Sequence, residues 1–268
     1  MIASVSVVRA RQLRLLSRFT VLLLSGVGLW MSLNYLNVHV ERFEQLFQRL
    51  GVLFANRYYP PDLEYITRPG FLKSVLETIH MAFLAALIGL LVSAPLAWLA
   101  SFNVSPFPKM GYPLARLLIT TSRAIHEMIW AIIFVMIVGY GVLAGVIALT
   151  LSCIGFSAKL FAEEIESIAP GPVEAVKASG ASPLGVFLFG VLPQVKTAWI
   201  GISIYTWDVV FRASTVVGFV GAGGMGWYLR RAADQLQSDR VAAIVLLIVA
   251  LVACSELFSF YARKRFHG

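Results

Sequence analysis

Long apolar blocks alternate with short polar ones along the chain. Apolar residues dominate 19–36, 74–100, 114–138, 142–160, 193–217 and 241–261. About 20 apolar residues in a helix cross the hydrocarbon layer of a bilayer. The pattern therefore predicts an all-α integral membrane protein with about six transmembrane helices. Residues 37–70 are mixed in charge. Within them Val40, Phe43, Leu46, Phe47, Leu50, Leu53 and Phe54 recur at helical spacing, which predicts a helix at the membrane interface over His39 to Ala55. No composition shift marks a second domain, so 1–268 reads as one transmembrane domain. It has a first span at 19–36, an outer segment at 37–70 and a five-span core at 74–261.

The longest polar interruption in the second half is 163–193. Its punctuation predicts two short helices with a corner between them. Pro172 fits the first turn of a helix, where its missing N–H leaves no bond unmade, and Glu174 then sits near the positive end of the helix dipole. Gly180 fits the helix C-terminus, where a left-handed residue is usual. Ser182-Pro183 reads as an N-cap followed by proline at the first position of the next helix. A rigid corner projecting between two spans suits a handle for another protein.

Composition sharpens the class. The 268 residues are 59% hydrophobic and 13% charged, with mean hydropathy +0.79, which excludes an ordinary soluble core. The net charge of +8 falls largely at span ends, which is a topology signal and not a nucleic-acid face. Arg9–Arg18, Lys109/Arg116/Arg123, Lys159/Lys177/Lys196 and Arg263–Arg265 put both termini and the Glu174 loop inside, with the first span uncleaved. The outer loops are not free of arginine, holding Arg42, Arg49, Arg57, Arg230 and Arg231 among others. Cys153 and Cys254 lie in apolar stretches and read as packed thiols. His126-Glu127 begins like a zinc motif, but position 130 is Trp130, so no metal site is expected. No G-x-x-x-x-G-K-[S/T] phosphate cradle occurs, so any ATP site belongs to another polypeptide.

Ionisable residues inside the predicted spans are costly unless they face a bundle interior or an aqueous path. Arg123 and Glu127, four apart in the third span, are expected on one helix face, as are Asp208 and Arg212 in the fifth. Either pair offers positive charge to an anion or neutralises itself for packing. Gly221-Ala222-Gly223-Gly224-Met225-Gly226 matches G-x-G-x-x-G in letters, but it follows a membrane span and lacks the βαβ setting of a dinucleotide site. Close helix packing or a pore-lining bend is the physical reading. Trp227-Tyr228 reads as an interface belt, and Arg230-Arg231 as a surface for an acidic partner or simply as exposed charge.

Glu174-Ala175-Val176, Gly180 after three residues and Leu192-Pro193 after eleven more resemble the "EAA" loop of bacterial ABC-importer permeases, E-A-A-x3-G-x9-I-x-L-P. Val176 replaces the second alanine and Gly190 replaces the isoleucine. Three blocks are similar to phosphonate-uptake permeases: Arg123-Ala124-Ile125-His126-Glu127-Met128, the run from Pro170 through Val195, and Arg212-Ala213-Ser214-Thr215-Val216-Val217-Gly218 through Gly226. The resemblance covers about residues 120–226. It implies a methionine-importer-like fold in the bacterial inner membrane with N- and C-termini cytoplasmic and residues 37–70 periplasmic. It also implies a homodimer, two copies of an ABC ATPase that bind ATP and Mg2+, and a periplasmic phosphonate- or phosphite-binding protein. The expected function is uptake of phosphonate, phosphite or hypophosphite by alternating access, with no catalytic residue and no cofactor on this chain. The expected ATPase-coupling residues are Glu174, Ala175, Lys177, Gly180, Leu192 and Pro193. The candidate path or gate residues are Arg123, Glu127, Asp208, Arg212, Ser214, Thr215, Gly221, Gly223 and Gly224. Another cargo such as methionine, or a secondary transporter needing no ATPase, remains open from the residues alone.

Overall fold

The computed structural model describes residues 2–36 and 41–267. The chain divides into two compact units, Met1–Arg57 and Tyr58–Gly268. In the first, α1 runs over Ile2–Tyr35 and covers the expected first span. Its apolar side chains from Phe19 through Met31 are exposed along the helix, the surface a lipid-facing span presents. The expected interface helix is α2, Glu41–Leu53, which continues into a π-turn at Phe54–Tyr58. His39 and Val40 of that expectation lie outside the described residues.

The second unit is a bundle with an inverted packing pattern. It comprises α3 (Leu63–Thr67), α4 (Pro69–Leu99), α5 (Gly111–Ala124), α6 (Glu127–Val138), α7 (Val142–Glu166), α8 (Pro170–Ala178), α9 (Pro183–Gly185), α10 (Leu192–Val217), α11 (Met225–Asp234) and α12 (Ser238–His267). In α4, Phe83, Leu84, Leu87, Ile88, Leu91 and Val92 are exposed, while Ala82, Ala85, Ala86, Gly89 and Ser93 are buried. Small residues inside and large ones outside suit a lipid-embedded bundle, because close backbone approach replaces hydrophobic collapse as the driving force. The most extensive helix pair is α4 against α7. A Cβ at Gly89 would lie 2.5 Å from Cys153 Sγ, so only glycine allows this crossing. One turn on, the hydroxyls of Ser93 and Ser157 meet at 2.6 Å. With one proton each, one of the two donates across to the other, which in turn donates to its own helix at the Gly89 or Cys153 carbonyl, so neither is left unpaired in an apolar setting.

Four helices among the described residues are long and apolar enough to cross a bilayer, and α5 with α6 makes a fifth if the bent pair counts as one span. Four or five spans among the described residues stand close to the expected six. The third span, however, is not one helix. The chain turns by 91° between α5 and α6. Ile125 and His126 take extended backbone angles, and the His126 ring accepts from Met128 N at 3.3 Å as a helix cap. Arg123 therefore ends one helix and Glu127 begins another, and the expected intrahelical pair does not exist. Glu127 instead lies 3.4 Å from His126 Nε2, in the first turn of α6 where the helix dipole favours an acid.

Asp62 caps α3 by accepting from Tyr65 N at 3.0 Å and pairs with Arg240 of α12 at 3.5 Å, which ties the start of the unit to its last helix.

Candidate functional site

The polar stretch 163–193 folds as an elbow between α7 and α10. Helix α8 opens with Pro170 at its first position and holds Pro172 in its first turn. It closes on Gly180, whose φ of +79° is left-handed and whose N–H donates to the Lys177 carbonyl at 3.0 Å. Ser182 accepts from Gly185 N at 3.3 Å with Pro183 at the next first position. The chain then runs through a π-turn at Val186–Val191 directly into α10. The elbow faces outward and inward with different residues. Glu174, Ala175, Lys177 and Gly180 are exposed, whereas Val173 is buried and Val176 packs against the same apolar cluster. Leu192 and Pro193 form the first turn of α10 rather than part of a loop.

Two features brace this elbow. Gly190 is buried against α8, and a Cβ there would lie 3.2 Å from Val173 Cα. The replacement of isoleucine by glycine in the motif thus lets α8 lie flat on the π-turn. Gln194 spans the base: its amide oxygen accepts from Ala169 N at 3.2 Å, and its amide nitrogen donates to the carbonyls of Gly190 at 2.7 Å and Ala169 at 3.4 Å. Sequence reasoning passed over Gln194, since a lone glutamine carries no signal until its partners are placed.

A second brace sits at the same end of the bundle. Glu166, the last residue of α7, pairs with Arg116 of α5 and accepts from Phe102 N at 3.1 Å. Arg116 also donates from Nε to the Ala100 carbonyl at 2.7 Å. Asn103 adds a bond to the Ile165 carbonyl at 2.8 Å. The root of the elbow is thereby fastened to the α4–α5 turn.

The glycine block lies between α10 and α11. Gly221, Gly223 and Gly224 have φ of +99°, +81° and +71°, and each nearly touches a neighbour. A Cβ on Gly224 would lie 2.4 Å from Thr78 Oγ1, and one on Gly223 would lie 2.9 Å from Val142 N. Gly218 and Gly226 press on each other's backbone. Thr78 of α4 accepts from Met225 N at 2.9 Å, and Gly141 N donates to the Gly221 carbonyl at 3.1 Å. The block is a knot joining α4, α7, α10 and α11. Ser214 and Thr215 are buried beside it and return their hydroxyls to the carbonyls of Phe211 and Arg212, at 2.7 Å each.

The charged candidates are placed separately. Asp208 and Arg212 do pair along α10, at 3.1 Å. Arg123 is exposed at the end of α5 with no ion pair among the described residues. Glu127 lines a small, partly open pocket with Ser152, Cys153 and Thr206 between α6, α7 and α10. On α11, Tyr228 is taken up in packing, donating to the Gly70 carbonyl at 3.2 Å and meeting the Phe71 ring edge-on. Trp227, Arg230 and Arg231 line a cleft of about 400 Å³ with Tyr140 and Gly221, and Arg230 pairs with Asp234 at 3.5 Å. Among the described residues no acidic, histidine or cysteine cluster is spaced to hold a metal ion.

A family model described as "binding-protein-dependent transport system inner membrane component" matches residues 93–268. The chain is 40% identical over 212 residues to the phosphite transport system permease protein PtxC of Stutzerimonas stutzeri, covering 79% of this chain and 76% of that one. It is 39% identical to the phosphate-import permease protein PhnE of Mycolicibacterium smegmatis over 80% of this chain, and spans 40% of that longer protein. The fold is similar to one chain of an inward-facing structure of the MetNI methionine ABC transporter, with a TM-score of 0.62 over 73% of this chain and 95% of that one, at 21% identity.

Proposed function

We propose, for a chain that belongs to the binding-protein-dependent transport system inner membrane components, the role of permease subunit in an ATP-driven importer of phosphonate, phosphite or a related phosphorus oxyanion. The observation that carries this reading is the 40% identity to a phosphite permease over 79% of the chain. The likeness to a methionine importer, at 21% identity, speaks for the fold alone.

The exposed residues of α8 are the surface that an ABC ATPase grips. Two copies of the chain pair, because each carries one elbow and such a motor has two ATPases. ATP and Mg2+ sit on the ATPase, as this chain has no phosphate cradle. The termini and α8 lie on the cytoplasmic side, and the glycine block and α11 on the periplasmic side, where a binding protein delivers the cargo. Closure of the ATPase dimer moves α8. Gln194 and Gly190 hold α8 on the first turn of α10, so the movement passes into the helix that carries Asp208 and Arg212. The glycine knot at the far end of α10 is the point about which that helix pivots. Alternating access is the result, with Arg123 and Arg212 the candidates for holding the oxyanion.

Growth tests this reading. A strain lacking only this chain is grown on phosphite or methylphosphonate as sole phosphorus source, with phosphate as control and a wild type that grows on the tested compound. Growth is expected to fail on at least one and to return with the intact gene. Unchanged growth on both, in a strain with no second uptake system, removes the oxyanion reading.

A further inference from the structure

Asp208 and Arg212 stand one turn apart on α10, with Arg212 Nη2 at 3.1 Å from Asp208 Oδ2. The two are unequally placed: the Asp208 side chain is 9% exposed and that of Arg212 is 49% exposed. Tyr205, Arg212, Val216 and Phe219 share one exposed stripe of the helix and its continuation. A guanidinium within an apolar span is costly against lipid, which favours a stripe that borders water or protein. The other oxygen of Asp208, Oδ1, is buried and has no hydrogen-bond partner. A buried carboxylate with one orphan oxygen destabilises a fold relative to an apolar residue of the same size. Packing therefore does not explain Asp208; its effect on Arg212 does.

We infer that Asp208 is a positioning residue that sets how firmly Arg212 holds a passing oxyanion, an inference that rests on the oxyanion-permease reading above. Arginine carries five N–H donors in a planar fork suited to two-point binding of a phosphorus oxyanion. Asp208 occupies one nitrogen of that fork from the buried side, which fixes the plane and leaves the exposed donors free. The pair is formally neutral, so it offers oriented donors without a net charge. A transport site has to bind well enough to admit its cargo and weakly enough to release it. An unpaired arginine in a low-dielectric span would hold the anion too long.

The test uses the full permease assembled with its ATPase, measuring retention of radiolabelled phosphite and methylphosphonate by the purified complex and maximal uptake into proteoliposomes with saturating binding protein. Asp208→Asn is expected to tighten retention at least about tenfold, the scale of one charge-assisted interaction, while lowering maximal uptake. Asp208→Glu restores both values toward wild type, and Arg212→Gln loses retention and uptake together. A merely structural Asp208 would lower both without tightening either. Where Asp208→Asn fails to assemble, Arg212→Lys decides: it keeps the charge but loses the fork, and undiminished retention would overturn the inference. Wild-type uptake with Asp208→Asn retention no tighter than wild type overturns the inference alone. Wild-type uptake of neither compound overturns the oxyanion reading and this inference with it.

Discussion

The side-chain amide of Gln194 grips the backbone of Ala169, accepting from its N–H at 3.2 Å and donating to its carbonyl at 3.4 Å. This joins the chain just before α8 to the first turn of α10. Gln194→Ala removes this grip and the 2.7 Å bond to Gly190. Each lost bond is worth about 1 kcal/mol at an exposed site, too little to unfold the bundle. The expected outcome is an assembled complex whose ATP hydrolysis continues while uptake falls several-fold. Co-purification with the ATPase, paired with hydrolysis and uptake rates, checks it.

Gly190→Ile restores the residue usual in the motif, yet it is expected to harm this protein. The new Cβ alone would sit 3.2 Å from Val173 Cα, and the rest of the side chain would push α8 off the π-turn. Overpacking of this kind costs about 1–3 kcal/mol. Thermal unfolding of the purified chain should shift to lower temperature, and ATPase binding should weaken.

Glycines in the knot and in the elbow should respond differently to alanine. At Gly224, with φ +71° and Thr78 Oγ1 at 2.4 Å from the new Cβ, Gly224→Ala meets both backbone strain and a clash. Loss of more than about 2 kcal/mol of stability is expected. Gly171→Ala sits in the first turn of α8 with nothing within 4 Å, and should be neutral or stabilising by up to about 1 kcal/mol. Thermal melts of the two variants side by side check the contrast.

Glu166→Gln keeps an acceptor for Phe102 N but discharges the pair with Arg116. Both side chains are partly buried, so the loss should be about 1–3 kcal/mol, above that of a surface pair. The variant should show faster proteolysis in the turn between α4 and α5. Arg116→Gln should give the same pattern, and the double variant should be no worse than the sum.

The spans were legible because apolar block length maps directly onto helix length in a bilayer. The elbow was legible because Pro172, Gly180 and Ser182-Pro183 each carry local backbone preferences, and the structure keeps each in the predicted role. The bend at Ile125-His126 was hidden because no proline or glycine interrupts 114–138 and the polar run from Thr120 to Glu127 lies inside one apolar block. The available signal was His126 as a cap followed by the first-turn acid Glu127. The separation of Arg123 from Glu127 follows from that one missed bend. Gly190, Gln194 and the Arg116–Glu166 brace depend on contacts between segments distant in sequence, which no local pattern encodes. The glycine block matched a cofactor motif in letters, and the close backbone approaches of Gly218, Gly223 and Gly226 give it a packing role.

ATP-driven uptake of labelled phosphite into proteoliposomes, containing this chain with its ATPase and binding protein, tests the central claim most directly. Accumulation that needs ATP, and that is lost when Glu174→Lys and Gly180→Pro are combined in α8, is the result predicted. Accumulation that proceeds without ATP, or that survives the double substitution undiminished, would contradict an elbow-coupled ABC permease.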